Sequence, residues 1–362
     1  MSRRRFHIVA GSILADVALV QPALSLCALT VNIFTSAPQP AALLFIANSW
    51  IVHAMWLYIV TGIAIALLVV VLYPLWGGVR YLARQRKREG KIVAGQPRHK
   101  PSPRQWRADQ TTIAWLGHAT LLINLRGRFI LTDPVFSSSV GIHLPFVAIL
   151  GPRRLVHPAL QPEELPPLDL IVQSHAHMDH LDVRSWRRLR RGPAVVMAAR
   201  NQRFIRHFDF APVTELRWGE SVDTAGVTVA ALKIKHWGER YPWSCGLGYN
   251  AYLLERDGAT ILFGGDTAYT DSLRDACAGR KIHVAILPIG GYRPYIHMHA
   301  SPEQAWKMFC ELDADFLVPI HHQTFMLSYE PLEEPLQRLL AAAGPRADRI
   351  VIREIGETFV VP

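Results

Sequence analysis

The stretch Ser174-His175-Ala176-His177-Met178-Asp179-His180 reads H-x-H-x-D-H and sets three imidazoles and a carboxylate within six positions. It follows directly on the apolar run 168–172, whose length and branching are those of a buried strand. The cluster therefore falls where a strand opens into a loop. Neutral imidazole nitrogen and carboxylate oxygen suit zinc and the neighbouring borderline metals. One ion needs three or four ligands, and four such groups on one turn can begin two sites. The plainer account is a polar turn ahead of a basic helical stretch at 183–191, and a single histidine would favour it. Three histidines and an aspartate at this spacing favour a metal, and with it a metal-dependent hydrolase.

The chain has 362 residues, enough for a full globular domain and an appendage. Its net charge of +10 suggests a nucleic-acid binder until the charge is located. Residues 1–79 hold Arg3, Arg4 and Arg5 against Asp16, and residues 80–107 hold ten basic residues against Glu89. Residues 108–362 are then left at −1, so the basic character sits in one short segment. A nuclease needs a basic groove, and this balance argues against nucleic acid as a partner. Cys27, Cys245, Cys277 and Cys310 are scattered without a C-x-x-C, which implies no disulfide framework and no thiolate metal site.

Residues 51–76 contain no Asp, Glu, Lys or Arg, ample for a hydrocarbon core of ~30 Å. Trp50, Trp56, Tyr73 and Trp76 lie near the ends, as interfacial aromatics do. Residues 8–34 form a weaker apolar segment, interrupted by Asp16, Gln21 and Pro22. With Arg3–Arg5 and the basic stretch after Trp76 both retained in the cytoplasm, the two spans predict a membrane hairpin with its tip near 36–40. Ser2-Arg3-Arg4-Arg5-Phe6 also resembles the start of a twin-arginine export signal. The positive flank after Trp76 holds the following domain inside on either reading. The expectation is a membrane anchor at 1–79, a basic juxtamembrane linker at 80–109 whose part 90–103 lies along anionic headgroups, and a hydrolase domain at 110–362. That places the protein in the inner (plasma) membrane with its domain facing the cytoplasm.

From Gln110 onward the texture is α/β. Strands are predicted at 111–115, 121–125, 129–132, 168–172, 194–197, 227–231, 251–254, 260–263, 284–287, 316–318, 350–352 and 358–361. Helices are predicted at 183–191, 201–208, 272–277, 302–312 and 335–343, the fourth with a capping box built from Ser301, Pro302 and Gln304. A meander followed by alternation predicts two mixed sheets flanked by helices. Three further polar groups close strand candidates: His236, Asp266 after Gly264-Gly265, and His321. Singly each is a weak signal, since a lone histidine is most often a packed core residue. With the cluster they make seven donors, enough for two metals.

The cluster, Gly117-His118-Ala119-Thr120, Thr132-Asp133-Pro134, Gly264-Gly265-Asp266-Thr267 and His321 together resemble the metallo-β-lactamase fold. Trp115-Leu116-Gly117-His118, Gly151-Pro152-Arg153-Arg154, His236-Trp237 and Pro288-Ile289-Gly290-Gly291-Tyr292 resemble more narrowly the branch containing N-acyl phosphatidylethanolamine phospholipase D. The resemblance covers about residues 110–345. It implies an αββα sandwich holding two zinc ions, with iron or manganese as other occupants of the same donors. His175, His177 and His236 would hold one ion; Asp179, His180 and His321 the other, with Asp266 bridging. It also implies that His118 and Asp133 orient ligand imidazoles, and that His299 stands near the active site as a catalytic group beside Asp179. His322 departs from the pattern, which usually has tryptophan there, and is expected to support a ligand from behind or to line the pocket rather than to bind metal.

The implied reaction is attack of a metal-bridging hydroxide on a phosphodiester, with Asp179 orienting the nucleophile. His299 would polarise the substrate or protonate the leaving group, the latter requiring a near-neutral pKa. The implied substrate is N-acyl phosphatidylethanolamine or a related membrane phospholipid, which an anchored enzyme meets at high effective concentration. Oligomeric state is not legible. The apolar loop 140–150 is expected either to rim the site, touching acyl chains or bilayer, or to pack under a neighbouring loop. Two rivals remain: a lactonase or other small-molecule hydrolase of the same fold, and a membrane-tethered metal or lipid sensor without turnover.

Overall fold

The computed structural model describes residues 40–89, 93–142, 151–241 and 243–362. The first apolar segment, 8–34, and positions 143–150 of the apolar loop lie outside them. The chain divides into two compact units at Val79/Arg80.

In the first unit the apolar run forms part of helix α1 (Pro40–Glu89). Its Ser49–Val70 portion is long and apolar enough to cross a membrane, and none of it is buried by protein. Two polar side chains within it return their hydrogen bonds to the helix itself: Thr61 Oγ1 donates to the Leu57 carbonyl at 2.7 Å and His53 Nδ1 to the Ser49 carbonyl at 2.7 Å. That self-sufficiency is what a lipid environment demands of a helix. The helix runs past Trp76 to Glu89, so the first basic residues expected in a linker lie on its continuation.

The second unit contains two mixed sheets. In chain order the strands are β1 (Thr111–Gly117), β2 (Thr120–Leu125), β3 (Arg128–Thr132), β4 (Leu170–Gln173), β5 (Ala194–Ala198), β6 (Val213–Leu216), β7 (Ser221–Thr224), β8 (Val227–Leu232), β9 (Ala251–Arg256), β10 (Ala259–Phe263), β11 (Val284–Pro288), β12 (Phe316–Ile320) and β13 (Thr358–Val361). One sheet runs β13-β1-β2-β3-β4-β5-β6 and the other β12-β11-β10-β9-β8-β7. In the first, β3 to β6 are parallel. In the second, β10, β11 and β12 are parallel and β8 shares their direction through antiparallel β9.

The period-2 alternation of apolar residues explains the layers. Tyr252, Leu254, Ile261, Phe263, Ile286 and Val318 face the core shared with the first sheet. Their alternates Leu253, Leu262, Ala285 and Leu317 pack on the opposite face. There they meet Leu273 of α3 (Ser272–Ala276), Trp306 and Phe309 of α5 (Pro302–Glu311) and Leu339 of α6 (Glu334–Ala343). Trp186 of α2 (Val183–Arg188) joins the first-sheet core, and α4 (Tyr292–Tyr295) is a single turn. The predicted capping box is present: Ser301 Oγ accepts from the Gln304 amide and the Gln304 side chain accepts from the Ser301 amide.

Several expectations are corrected. The 201–208 helix is two 3-10 turns, Gln202–Phe204 and Arg206–Phe208. The 183–191 helix stops at Arg188 because Leu189 is extended ahead of Gly192-Pro193. At 350–352 only Ile350 pairs, as a single bridge to Leu317. β6 and β7 were not anticipated: they are sheet edges, four residues each and half-exposed, with no apolar run to announce them. The stretch 90–103 does not run free over its described part. Gly95 pairs with Val156, Arg98 with Glu354 and Lys100 with Glu164, because its cations find carboxylates on the domain.

Truncating a side chain shared by both sheets should be costly. Phe263→Ala is expected to destabilise the domain by about 3–5 kcal/mol, whereas Val360→Ala on half-exposed β13 should stay within about 0.5 kcal/mol, both measured by urea unfolding.

Candidate metal centre

Strands that end together deliver the donors together. β4 opens into Ser174 and the H-x-H-x-D-H turn, which closes on itself through the His180 and Leu181 amides donating to the His177 carbonyl. β10 ends at Gly264-Gly265-Asp266, and β12 ends at His321, whose amide donates to the His118 carbonyl in the β1–β2 turn. Gly265 has φ +56°, and a Cβ there would stand 2.8 Å from the Ser174 Cβ. Glycine at this position lets the Asp266 turn approach the histidine turn.

Asp266 Oδ2 occupies the middle of the cluster. It lies 3.1 Å from His180 Nε2, 3.1 Å from His321 Nε2, and 3.8 Å from both His236 Nε2 and His299 Nδ1. His175, His177, His236 and Asp266 offer one donor atom each within 4.8 Å of one another. His118, Asp179, His180 and His321 form a second set of the same compactness, and Asp266 also groups with His299 and His321. Asp179 Oδ2 is 3.0 Å from His118 Nε2, 3.4 Å from His321 Nε2 and 3.7 Å from His180 Nε2. All seven predicted donors thus stand in one buried cluster.

Supporting hydrogen bonds fix which ring nitrogen faces inward. His180 Nδ1 donates to Asp133 Oδ2 at 2.6 Å and His236 Nδ1 to the Met298 carbonyl at 2.9 Å, leaving both Nε2 atoms toward Asp266. Ser174 Oγ gives its proton to Asp133 at 2.5 Å, so it accepts from His175 Nδ1 at 2.9 Å and turns the His175 Nε2 inward. Asp133 is itself held by Gln173 Nε2 and the Ser174 amide. Arg240 ties the turn from outside, donating to the Ala176 and Leu181 carbonyls at 2.8 and 2.7 Å.

Buried polar atoms left without hydrogen bonds test whether metals fit. His175 Nε2, His177 Nε2, His180 Nε2, His321 Nε2 and Asp266 Oδ1 are all in that condition. Buried polar groups are rarely unpaired, and a convergent set of them is what a cation satisfies. The electrostatics agree. Burial pushes His175 well below the ordinary imidazole range, His177 down to about 4 and His236 down to about 3, so these three are neutral lone-pair donors. Burial would raise Asp179 and Asp266, yet the neighbouring imidazoles, His180 foremost, hold both well below the carboxylate range. Burial also opposes protons on His180 and His321. The charges of Asp266 and Asp179 outweigh it, keeping His180 well above its usual range and His321 up at about 9. The site demands positive charge on that side.

The beta-lactamase superfamily domain matches residues 128–322, more than half of the chain and all seven donors. The chain belongs to the metallo-β-lactamase superfamily of metal-dependent hydrolases. An uncharacterized protein of Mycobacterium tuberculosis is 33% identical over 258 residues, covering 67% of this chain and 68% of its own length. The N-acyl-phosphatidylethanolamine-hydrolyzing phospholipase D 1 of Caenorhabditis elegans is 31% identical over 259 residues, covering 65% of this chain and 70% of its own. Among solved structures, an isothiocyanate hydrolase from Delia radicum gut bacteria superposes with a TM-score of 0.56 at 19% identity, over 68% of this chain and 98% of that chain. This likeness shows the shared superfamily fold.

The geometry corrects one expectation for residues around the donors. Asp133 does orient a donor imidazole, but His118 bonds the carboxylate of Asp179 rather than an imidazole. His322 joins neither donor set, as expected, and stacks on the Trp115 ring with centroids 4.6 Å apart. His299 Nδ1 is buried without a hydrogen bond 3.8 Å from Asp266 Oδ2, and burial pushes the ring down to about 3. Ser174 and Arg240 were not anticipated, although Ser174 directly precedes the cluster.

Because Asp133 fixes His180 and, through Ser174, His175, Asp133→Asn should loosen donors of both sets. Metal affinity is expected to fall about 10–100-fold, read by competition with a chromophoric chelator.

Proposed function

We propose that this protein is a membrane-anchored dinuclear phosphodiesterase of the phospholipase D type, cleaving N-acyl phosphatidylethanolamine or a related phospholipid. The observation that carries the reading is the pair of donor sets meeting at Asp266 in a chain that also holds an apolar helix able to cross a membrane. The nematode relative's printed activity supports the substrate class. His175, His177 and His236 would hold one ion and Asp179, His180 and His321 the other, with Asp266 between them. Zinc is the proposed metal, iron and manganese being compatible with the same donors. Bound there, such ions supply Lewis acidity and make water nucleophilic near neutral pH.

The chain's own groups do the rest. Asp179, held by His118, accepts a hydrogen bond from incoming water and aligns it. His299, neutral at the edge of the cluster, donates its single N–H to a substrate oxygen. Products would be phosphatidate and an N-acylethanolamine. We further propose that residues 1–79 form the membrane anchor as a hairpin, with the hydrolase domain on the cytoplasmic face of the inner membrane.

Full-length protein in mixed micelles should release N-acylethanolamine from N-acyl phosphatidylethanolamine. His177→Ala should lower the rate by about 100-fold or more, since even a residue that only orients a ligand costs 10–100-fold. Turnover of a lactone without turnover of any phospholipid would overturn the reading, and mass spectrometry of the products distinguishes the two.

A further inference from the structure

We propose that the face built from residues 199–208, 238–241 and 243–248 docks on anionic phospholipid headgroups beside the metal centre. The near-neutral sum over residues 108–362 conceals a strong segregation. Residues 183–208 contain eight arginines and no Asp or Glu. Arg200, Arg203 and Arg206 are exposed, and none of them forms an ion pair among the described residues. Asp182 is committed to Ser137, Ser185 and Arg184, and Glu215 to the Gln202 amide, which leaves Asp209 and Glu239 as the acids set against Arg200, Arg203, Arg206 and Arg240 on this face.

An aromatic pair stands on the neighbouring loop. Trp243 is 78% exposed and stacks on Tyr241, with ring centroids 5.4 Å apart and planes within 6°. A monomeric soluble surface gains nothing from a large apolar ring held in water, whereas an indole suits the headgroup level of a bilayer. The loop is fastened to the arginine segment: the Gly248 amide donates to the Ala199 carbonyl at 2.8 Å and Asn201 Nδ2 to the Gly248 carbonyl at 3.2 Å. Gly246 lacks a Cβ that would otherwise meet Arg200 Nη1 at 2.6 Å, so the guanidinium lies against the loop. Arg240 then joins this face to the site. It lies over the Phe204 and Tyr241 rings and donates to the carbonyl of Ala176, between His175 and His177. Guanidinium groups bind phosphate in two-pronged fashion, and several together favour an anionic leaflet. The apolar Ser49–Val70 helix of the same chain favours a bilayer over a nucleic acid as the polyanion. The proposal rests on the phospholipid reading above for its substrate class.

The test uses full-length protein in nanodiscs of phosphatidylcholine alone or mixed with phosphatidylglycerol, with hydrogen exchange read by mass spectrometry. Peptides covering 199–208 and 238–248 should exchange at least about tenfold more slowly in the anionic discs. That protection should vanish in the double variant Arg203→Glu/Arg206→Glu and weaken in Trp243→Ala. An unchanged unfolding temperature and unchanged hydrolysis of bis-p-nitrophenyl phosphate in detergent would show that the variants fold; Arg203→Gln/Arg206→Gln replaces the double variant if it does not. Equal exchange in both disc types, or protection that survives charge reversal, overturns the proposal. Stronger protection by a single-stranded oligonucleotide in detergent than by anionic discs also overturns it, reassigning the face to nucleic acid. Protection without any phosphodiester turnover would sink the catalytic reading and leave the docking face standing.

Discussion

An ionised carboxylate removed from water is tolerable only when positive charge or strong donors surround it. Asp266 is 1% exposed and lies 3.1–3.8 Å from four imidazoles, with one oxygen left without a hydrogen bond. Asp179 repeats the condition against His118, His180 and His321. Both carboxylates stay ionised because positive charge faces them, on the imidazoles His180 and His321 or on cations held in their place. The metal chemistry, the tautomers of the histidines and the need for a rigid frame all follow from that arrangement.

The frame is supplied by the ends of strands. β4, β8, β10 and β12 close at one edge, and each contributes at least one donor from the loop that follows it. Ligand-bearing loops on a rigid two-sheet scaffold can be held to a few tenths of an ångström, which dinuclear chemistry requires. The buried network of Asp133, Ser174 and Gln173 extends this rigidity from the sheet to the rings. Arg240 then links the outer surface to the same turn, so the arginine-rich face and the donors share one covalent and hydrogen-bonded unit.

Much of this was legible in the residues because the signals are chemically distinctive. Five histidines and two aspartates at strand ends have few other uses, and apolar runs mark eleven of the thirteen strands. What stayed hidden has physical reasons. β6 and β7 are edges whose side chains are half in water, so they carry no apolar pattern. Segment 201–208 has helical composition but is bent into two 3-10 turns, in the same region where Ala199 and Asn201 anchor the loop after His236. His118 was expected to bond an imidazole from the family resemblance, which carries a residue's position and not its hydrogen-bond partner. The net charge of the domain misled most: a sum near zero concealed eight arginines gathered on one stretch, of which only Arg184 and Arg188 meet an acid in an ion pair among the described residues.

The central claim is that one carboxylate serves two cations. Elemental analysis of the purified full-length protein, alongside Asp266→Ala, tests it most directly. The account predicts two metal ions per chain in the wild type and fewer than one in Asp266→Ala, since both donor sets lose their shared oxygen. A variant that retains one ion at full occupancy, or a wild type that binds only one, would contradict it.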